Sequence, residues 1–435
     1  PEEDKLYQVS LVASGNYMSV NADGVRLSEY AQPLYLKEVS GGYALFNGTE
    51  YVAYKGNNTW TITGAENASP FTIIAGDEAY DIKGANGYLG VDDTAEGSYV
   101  YGNKDAHKWQ ISEFETKDYV FDSSLLIESY QCIVAGDITL NVDVQGGGAS
   151  VVNNGPVKAD KVTVNLTVPN SKWCFVEFPC DLPVASLTNS EQGTEWMIAR
   201  YDGAARAAVN LAQTWVTLSE SDVMEGGVGY ILQSRREGAE NSVFSFVVTD
   251  EDAINKIFSG KDMSVTLAEN ESTYAVNAGW NLVGNPFVAY YNVSALSLTS
   301  PITVWDNETY KAVSPVDDHY VLSPLQAFFV QYSGESQLIF ANDGRQLTSE
   351  LNEVTDAKKR AYAAGSRSFC NMVMTDGVYE DYTRAVFNPE ADRLYDASCD
   401  AAKFMSANAD VPQIYTVENG VSYAINERPV EDGQV

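Results

Sequence analysis

The side chains of this sequence that could do acid–base or metal chemistry are mainly carboxylates. The most compact group is Asp317, Asp318 and His319, within "PVDDHY". Glycoside hydrolysis needs two carboxylates that face each other across a sugar. Because adjacent residues of a strand point to opposite faces, such a run does not bring two acids together. The sequence therefore predicts no catalytic acid here, and leaves a solvated turn or a calcium site as the alternatives for Asp317 and Asp318.

Nucleophile motifs are absent from the sequence. There is no G-x-S-x-G, no C-x-x-C and no phosphate-binding G-x-x-x-x-G-K-[ST]. The two histidines, His107 and His319, are isolated and do not have zinc-ligand spacing. Only tertiary convergence could assemble a catalytic site, so the sequence predicts a protein that is not an enzyme, with no cofactor other than calcium as an open alternative.

Charge and hydropathy exclude two classes of partner. The 435 residues carry a formal net charge of −33, which disfavours nucleic acid and anionic lipid, because both are bound by clustered Lys and Arg. No apolar run approaches the roughly 20 residues of a membrane-spanning helix.

The five cysteines are too few and scattered for a disulfide scaffold, and we expect buried, unpaired thiols.

Short alternating runs such as "ITLNVDV" and "KVTVNLTV" dominate the chain and predict antiparallel sheets with half-buried strands. Helix patterns are few. Thr249 and Asp252 have capping-box spacing before "AINKIF". Two further short helices are predicted over 351–364 and 399–405. The fold class is therefore all-β.

The first 117 residues contain three related segments. Two ladders repeat with a period of about 36 residues, and a unit of that size must pack against its copies. The ladder residues are Tyr17, Tyr51 and Tyr88, and Leu34, Phe71 and Trp109. We predict an N-terminal β-trefoil over 1–117, with six barrel strands and three hairpins.

β-Trefoils often bind glycans, and lectin versions commonly carry Gln-x-Trp in each repeat. This chain has "HKWQ" at His107 instead. Tyr54, Trp60 and Tyr101 are the candidate ligand-binding residues, because exposed aromatic rings stack on sugars. The alternative is that these three rings pack the hairpins.

A second repeat begins with "WCFVEFP" at Trp173 and "WNLVGNP" at Trp280. The following segments also match in order. Tyr201 aligns with Trp305, and Tyr230 aligns with Phe328. We predict two related β-sandwich-like units over 118–256 and 257–345. Burying a Trp stabilises a fold by several kcal/mol, so both tryptophans are predicted to be core anchors.

"GWNLVGNPF" (279–287), "ITVWDNETYKA" (302–312) and "LSPLQAFFVQ" (322–331) resemble strands of exported Bacteroidetes multidomain β-sandwich surface proteins, of the adhesin-like kind associated with type IX secretion. Residues 381–429 are similar to the C-terminal sandwich of such proteins. The resemblance implies an extracellular or outer-surface location and structural, adhesive or sorting roles. It also implies that "DTA" at Asp93 is an O-glycosylation triplet, with Thr94 as the acceptor.

The last unit, 346–435, is predicted to be a linker and an incomplete C-terminal β-sandwich. The resemblance implies further strands after Val435, and an incomplete sandwich leaves an edge that a donated strand can join. The functional prediction is a non-catalytic secreted or cell-surface protein that binds a protein or a surface. A glycan-binding accessory protein that uses the trefoil is the alternative, and a carbohydrate-active enzyme is the third candidate.

Overall fold

The computed structural model describes residues 2, 5–189, 195–306, 309–350 and 367–429. Strands dominate it. The described residues contain two short α-helices, α1 (Gly203–Ala207) and α2 (Glu251–Ile257). The all-β prediction is confirmed. None of the helices in this part of the chain has the length and apolarity needed to cross a membrane.

Twelve strands form the N-terminal barrel. They are β1 (Leu6–Leu11), β2 (Tyr17–Asn21), β3 (Gly24–Ser28), β4 (Leu34–Val39), β5 (Gly42–Phe46), β6 (Tyr51–Gly56), β7 (Thr59–Thr63), β8 (Thr72–Ala75), β9 (Tyr80–Gly84), β10 (Gly87–Gly90), β11 (Tyr101–Asn103) and β12 (Trp109–Glu113). Strands β1, β4, β5, β8, β9 and β12 pair in a closed ring, in which the bridge between Tyr43 and Phe71 joins β5 to the β8 segment. The hairpins β2–β3, β6–β7 and β10–β11 extend from it. This connectivity agrees with the predicted β-trefoil, and the trefoil itself stays a prediction.

The two ladders occupy equivalent places in this barrel. Tyr17, Tyr51 and Tyr88 lie at the start of the first strand of each hairpin. The second ladder supplies the buried interior, and its members are Leu34, Phe71 and Trp109. The indole Nε1 of Trp109 donates a hydrogen bond to the Leu89 carbonyl at 3.0 Å. Equal burial at equal repeat positions is what the period of the sequence predicts.

The first β-unit contains thirteen strands. They are β13 (Lys117–Phe121), β14 (Ser124–Ile127), β15 (Ile133–Asp143), β16 (Ser150–Asn153), β17 (Val157–Pro169), β18 (Trp173–Glu177), β19 (Leu182–Pro183), β20 (Thr188–Asn189), β21 (Glu195–Tyr201), β22 (Trp215–Thr217), β23 (Val223–Met224), β24 (Gly229–Arg235) and β25 (Asn241–Val248). Sheets of order β13-β15-β17-β25-β20 and β18-β24-β21-β22 cover one large core. The purely antiparallel prediction is wrong here, because β13, β15 and β17 are mutually parallel. The chain can return between β15 and β17 because β16 pairs with β14 instead.

The second β-unit repeats the later part of the first. Its strands are β26 (Met263–Thr266), β27 (Trp280–Gly284), β28 (Tyr290–Asn292), β29 (Ile302–Trp305), β30 (Tyr310–Val313), β31 (Val321–Leu322), β32 (Ala327–Gln331), β33 (Gln337–Phe340) and β34 (Arg345–Gln346). Its sheet β27-β32-β29-β30 has the same strand order as β18-β24-β21-β22. Trp173 faces Gln233 and Trp280 faces Gln331, so the register agrees as well.

The two β-units meet through matching strand ends. The N–H of Glu177 donates to the Leu325 carbonyl at 2.9 Å, and the N–H of Gly284 donates to the Gly227 carbonyl at 3.2 Å. Glu177 and Gly284 occupy the same position of the repeat. So do Gly227 and Leu325, and both have positive φ, 82° and 58°. The units therefore dock about an approximate two-fold axis. Leu325 adopts the left-handed backbone that its glycine counterpart adopts freely.

The C-terminal sheet contains β35 (Ser368–Thr375), β36 (Glu380–Phe387), β37 (Ala401–Ala402), β38 (Thr416–Glu418) and β39 (Val421–Arg428). Within the described residues β35 pairs on one side only, with β36, and nearly all its side chains are exposed. Strand donation at this edge stays a prediction, and so do the four domain boundaries.

The helix predictions have mixed outcomes. Helix α2 lies where the capping-box spacing placed it, although its cap is Asp250, whose carboxylate accepts the Ala253 N–H at 3.0 Å. The helix predicted over 399–405 is wrong, because Ala401 and Ala402 pair with β39. The helix predicted over 351–364 lies outside the described residues. Short 3₁₀ turns occur at Ala65–Asn67, Val184–Ser186, Leu211–Gln213, Ala275–Asn277, Val293–Ala295 and Asn342–Gly344.

Candidate functional site

A pocket of about 690 Å³ lies where the three hairpins of the N-terminal barrel meet. We call it the hairpin pocket. Each hairpin contributes to its wall: the β2–β3 turn, the β6–β7 turn and the long connection from β10 to β11. The lining residues are Asp23, Val25, Lys55, Asn57, Asn58, Thr59, Trp60, Asp92, Asp93, Ser98, Tyr99, Val100 and Tyr101. Pockets of this size accommodate small-molecule ligands.

The β6–β7 turn supplies one wall. Asn57 and Asn58 both have left-handed backbones, with φ of 49° and 60°, which asparagine tolerates better than most residues. The turn is tied to its surroundings, since the Asn58 N–H donates to the Tyr54 hydroxyl at 3.2 Å. The Asn58 carbonyl accepts from the Gly102 N–H at 2.9 Å. These bonds fix the turn while its two amide side chains remain exposed.

The opposite wall is the long segment between β10 and β11, which folds back along β3. The Val100 N–H donates to the Val25 carbonyl at 2.9 Å, and the Leu27 N–H donates to the Ser98 carbonyl at 2.8 Å. The segment thus behaves as an added strand, which positions Tyr99 and Tyr101 at the pocket. Its other end is held by Asp93, whose carboxylate accepts the Ala95 N–H at 3.1 Å.

Two aromatic residues of the pocket have polar atoms without partners. Trp60 is only 5% exposed and packs against Phe71 and Tyr54, with ring centroids 4.9 and 5.5 Å away. Its Nε1 and the hydroxyl of Tyr101 are buried, and neither has a hydrogen-bond partner among the described residues. Burying a donor without an acceptor lowers the stability of the fold by about 1–3 kcal/mol. A ligand atom that accepted a hydrogen bond from either group would recover part of that loss.

Tyr99 differs from its neighbours because it is exposed and one face of its ring already contacts a cation. The guanidinium of Arg26 lies 3.8 Å from the Tyr99 ring centroid and donates to the Gly97 carbonyl at 3.1 Å. A cation on one face leaves one face of the ring for other contacts. Tyr99 therefore forms part of the rim of the hairpin pocket.

The structure brings together two of the three predicted ligand-binding residues. Trp60 and Tyr101 both line the hairpin pocket, whereas Tyr54 stands behind Trp60 and packs against its ring edge-on. Sequence reasoning missed the polar lining, namely Asp23, Asn57, Asn58, Asp92 and Asp93. The adjacent asparagines are a turn signal that could have located one wall, but the acids converge only through the pairing of the β10–β11 segment with β3.

Thr94, the predicted glycosylation site, is exposed in the β10–β11 segment directly after Asp92 and Asp93. Its carbonyl accepts a hydrogen bond from the Asn16 side chain at 3.0 Å. The hydroxyl thus lies on an accessible stretch beside the pocket. Modification of Thr94 stays a prediction.

The predicted calcium ligands have another role in this structure. Arg367 donates to both carboxylate oxygens of Asp317, at 2.7 and 2.8 Å, and Arg384 binds Asp318. Arg367 also binds Glu427, so these groups join the second β-unit to the C-terminal sheet. A calcium ion would have to displace two guanidinium groups from this turn. Among the described residues, no group of three or more His, Cys, Asp or Glu side chains could hold a metal.

Trp173 and Trp280 share one surrounding, which we call the inter-unit aromatic cluster. It lies where the two β-units face each other. Its aromatic members are Trp173, Phe175, Tyr201, Trp215, Trp280, Trp305, Tyr310, Phe329, Tyr395 and Phe404. Phe329 is fully buried at its centre. The Trp305 indole donates to the Trp173 carbonyl at 2.9 Å, so even the polar edge of a ring is used internally.

Glu177 is a buried acid beside this cluster. One carboxylate oxygen accepts the Gly227 N–H at 2.8 Å, and the other has no partner among the described residues. Burial raises the pKa of Glu177 to about 8, against the lowering effect of that hydrogen bond. All five cysteines are unpaired. Cys132, Cys174 and Cys180 are buried as predicted, whereas the prediction of burial is wrong for the exposed Cys370 and the half-buried Cys399.

Comparisons with known proteins give no family. No protein-family model and no curated protein sequence matches the chain. Among solved structures, the chain is similar to the lysenin pore (12% identity, TM-score 0.22), covering 26% of this chain and 47% of that one. An agglutinin of Rhizoctonia solani has 23% identity and a TM-score of 0.22 and covers 25% and 95% of the two chains. Cry35Ab1 has 10% identity and a TM-score of 0.22 and covers 80% and 90%. The chain spans about half the length of the lysenin chain that it matches.

Proposed function

We propose that this protein recognises surfaces without catalysing a reaction, and that its N-terminal barrel binds a carbohydrate in the hairpin pocket. The observation that carries the proposal is the composition of that pocket. It combines the aromatic residues Trp60 and Tyr101 with acceptors such as Asn58 and Asp92 in one cavity.

The chemistry of a sugar explains why this combination matters. A pyranose ring has C–H groups on its faces, which pack on aromatic rings, and hydroxyls at its edge, which need hydrogen-bond partners. Carboxylate and amide oxygens accept from those hydroxyls. The Trp60 N–H and the Tyr101 hydroxyl are buried, so they can donate to them only after a shift of the side chains. The pocket therefore offers a sugar an apolar surface together with both kinds of hydrogen-bonding group.

The two β-units and the C-terminal sheet support this role as a scaffold. Their large aromatic rings pack on one another in the inter-unit aromatic cluster, which favours a rigid support over a second recognition surface. The net charge of −33 keeps such a chain soluble and disfavours nucleic acid as a partner.

Export to the cell exterior or outer surface is part of the proposal and follows from the resemblance to Bacteroidetes surface proteins. Its test is fractionation of the producing cells with an antibody against the chain. Recovery in the outer-membrane or medium fraction supports export, and recovery in the cytoplasmic fraction contradicts it.

The glycan proposal is tested with the full chain on a glycan array. We expect a set of related glycans to bind, and Tyr101→Ala to lose at least about tenfold in affinity, because the variant removes part of the stacking surface and a donor. Tyr274→Ala is the matched control, since Tyr274 is an exposed tyrosine outside the pocket. Absence of binding across the array would overturn the proposal.

The enzyme alternative is tested in the same sample. Because Asp23, Asp92 and Asp93 line one pocket, a bound oligosaccharide should be incubated with the protein and followed by mass spectrometry. An unchanged oligosaccharide after long incubation agrees with a binding protein. Cleavage that Asp92→Asn abolishes would make hydrolysis the function of the site.

A further inference from the structure

The charges of the hairpin pocket are unequal. Asp23, Asp92 and Asp93 line it, and Lys55 is the cationic residue in the lining. Arg26, a cation beside the pocket, is held against the Tyr99 ring and the Gly97 carbonyl. The pocket thus presents an excess of negative charge to whatever enters it.

The hydrogen-bonding capacity of the pocket carboxylates also favours a ligand without negative charge. An ionised carboxylate accepts hydrogen bonds and donates none. The exposed acids Asp92 and Asp93 can therefore accept from a ligand that brings donors, which a sugar hydroxyl or an ammonium group supplies. A carboxylate or sulfate on the ligand brings acceptors only, so it would face these acids without a proton to share.

We propose, as an extension of the proposed function, that the hairpin pocket takes a sugar terminus without carboxylate, sulfate or phosphate groups and rejects the anionic counterparts of the same glycan. A charged group on the ligand would be repelled by Asp92 and Asp93, and salt screens only part of the repulsion between charges that lie within a Debye length of each other.

The unpartnered donors make the site selective for hydroxyls rather than for cations alone. Trp60 is more than nine-tenths buried, lines the pocket, and has an Nε1–H without a partner among the described residues. The Tyr101 hydroxyl is also buried and without a partner there, although the Tyr101 side chain is only half-buried. A metal ion or simple amine would satisfy the acids and leave both donors unpaired. After a shift of these side chains, a sugar hydroxyl or ring oxygen could accept from them while a neighbouring hydroxyl donates to an acid.

The position of the pocket also determines how many such binding sites one chain has. All three hairpins line it, so it lies on the approximate three-fold axis of the barrel and is not repeated by that axis. We therefore expect one sugar per chain at this site.

The experiment measures the binding of matched glycan pairs to the full chain by isothermal titration calorimetry. Each pair is a neutral oligosaccharide found on the array and its sialylated or sulfated counterpart. The variant Asp92→Asn/Asp93→Asn removes two charges from the pocket while an Asn at 93 can still accept the Ala95 N–H. The control Asp77→Asn/Glu78→Gln removes two charges from exposed residues of the same barrel that do not line the pocket.

We expect the wild type to bind the neutral member at least about tenfold more tightly, with one site per chain. The pocket variant should narrow that ratio several-fold, and the control should leave it unchanged. Equal or tighter binding of the anionic member would overturn this inference while the proposed function stands. An equal narrowing by both variants would also overturn it, because it would assign the discrimination to the overall charge. No binding by either member would overturn the inference and the proposed function together.

Discussion

The hairpin pocket and the inter-unit aromatic cluster both contain Trp and Tyr side chains, and these differ in what surrounds them. In the cluster, the fully buried Phe329 has ring neighbours on every side, for example Tyr201 at 4.7 Å and Phe404 at 4.8 Å between centroids. In the pocket, Tyr101 stands beside carboxylates and amides, and its hydroxyl is unpaired among the described residues. We therefore propose ligand binding at the pocket, where polar groups surround the aromatic residues, and a structural role for the cluster, where the rings contact one another.

The two β-units offer a narrower comparison within the cluster region. Glu177 and Gly284 occupy the same place in the repeat, yet one is a buried acid and the other has no side chain. A Cβ on Gly284 would lie 2.1 Å from the Glu177 Cβ. The two-fold axis has room for one side chain, so the repeat had to become asymmetric at this position.

The largest expected effect comes from breaking the aromatic cluster. Phe329→Ala should lower the free energy of unfolding by about 3–5 kcal/mol, because it leaves a cavity among five rings. Phe387→Ala is the control, since Phe387 is 43% exposed, and we expect a loss of less than about 1 kcal/mol. Urea unfolding measures both. Glycan affinity of the folded Phe329 variant should match wild type, and a joint loss would erase the distinction between the two regions.

Gly284→Ala should cause the next largest loss in the free energy of unfolding. The added methyl collides with Glu177, and overpacking of this kind costs about 1–3 kcal/mol or more. Glu177→Gly, combined with Gly284→Ala, should recover part of that loss, because it removes the atoms that collide. Additive effects of the two substitutions in urea unfolding would show that the two positions do not share one space.

Replacing the buried acid should change the pH dependence of stability. The folded state raises the pKa of Glu177 from 4.5 to about 8, so between these values the folded state holds a proton that the unfolded state releases. The stability linked to this group is therefore complete below pH 4.5 and is lost as pH rises to about 8, by about 1.4 kcal/mol per pH unit. Glu177→Gln should become more stable relative to wild type across that window. A difference between the two that stays constant with pH would refute this assignment.

The smallest effect on stability is expected in the pocket. Tyr101→Phe removes only the unpaired hydroxyl, so the free energy of unfolding should stay within about 0.5 kcal/mol of wild type or rise slightly. Glycan affinity should nevertheless fall severalfold, because the sugar loses a hydrogen bond. An unchanged affinity together with intact stacking would remove the Tyr101 hydroxyl from the site.

Periodic features of the chain were predictable from sequence, and convergent ones were not. The burial of Leu34, Phe71 and Trp109 follows from their spacing, and the matched register of Trp173 and Trp280 follows from the second repeat. By contrast, Asp318 meets Arg384 only because the C-terminal sheet docks on the second β-unit. Local pattern carries no information about such contacts.

The pocket shows both cases at once. Trp60 and Tyr101 were identified as aromatic residues of hairpins, and hairpin membership is a local property. Asp23 and Asp92 come from different hairpins, and the fold-back of the β10–β11 segment along β3 brings them to one cavity. The predicted helix over 399–405 failed for the same reason, since pairing with β39 outweighs local helix propensity.

Hydrogen–deuterium exchange of the full chain, with and without a neutral glycan identified on the array, tests the central claim most directly. Ligand should slow amide exchange in 55–60 and 91–101, which contain most of the residues lining the hairpin pocket, and leave exchange in β18 and β27 of the β-units unchanged. Slower exchange in β18 and β27 with no change at the hairpins would contradict the account, because it would place the binding site at the aromatic cluster that we describe as structural.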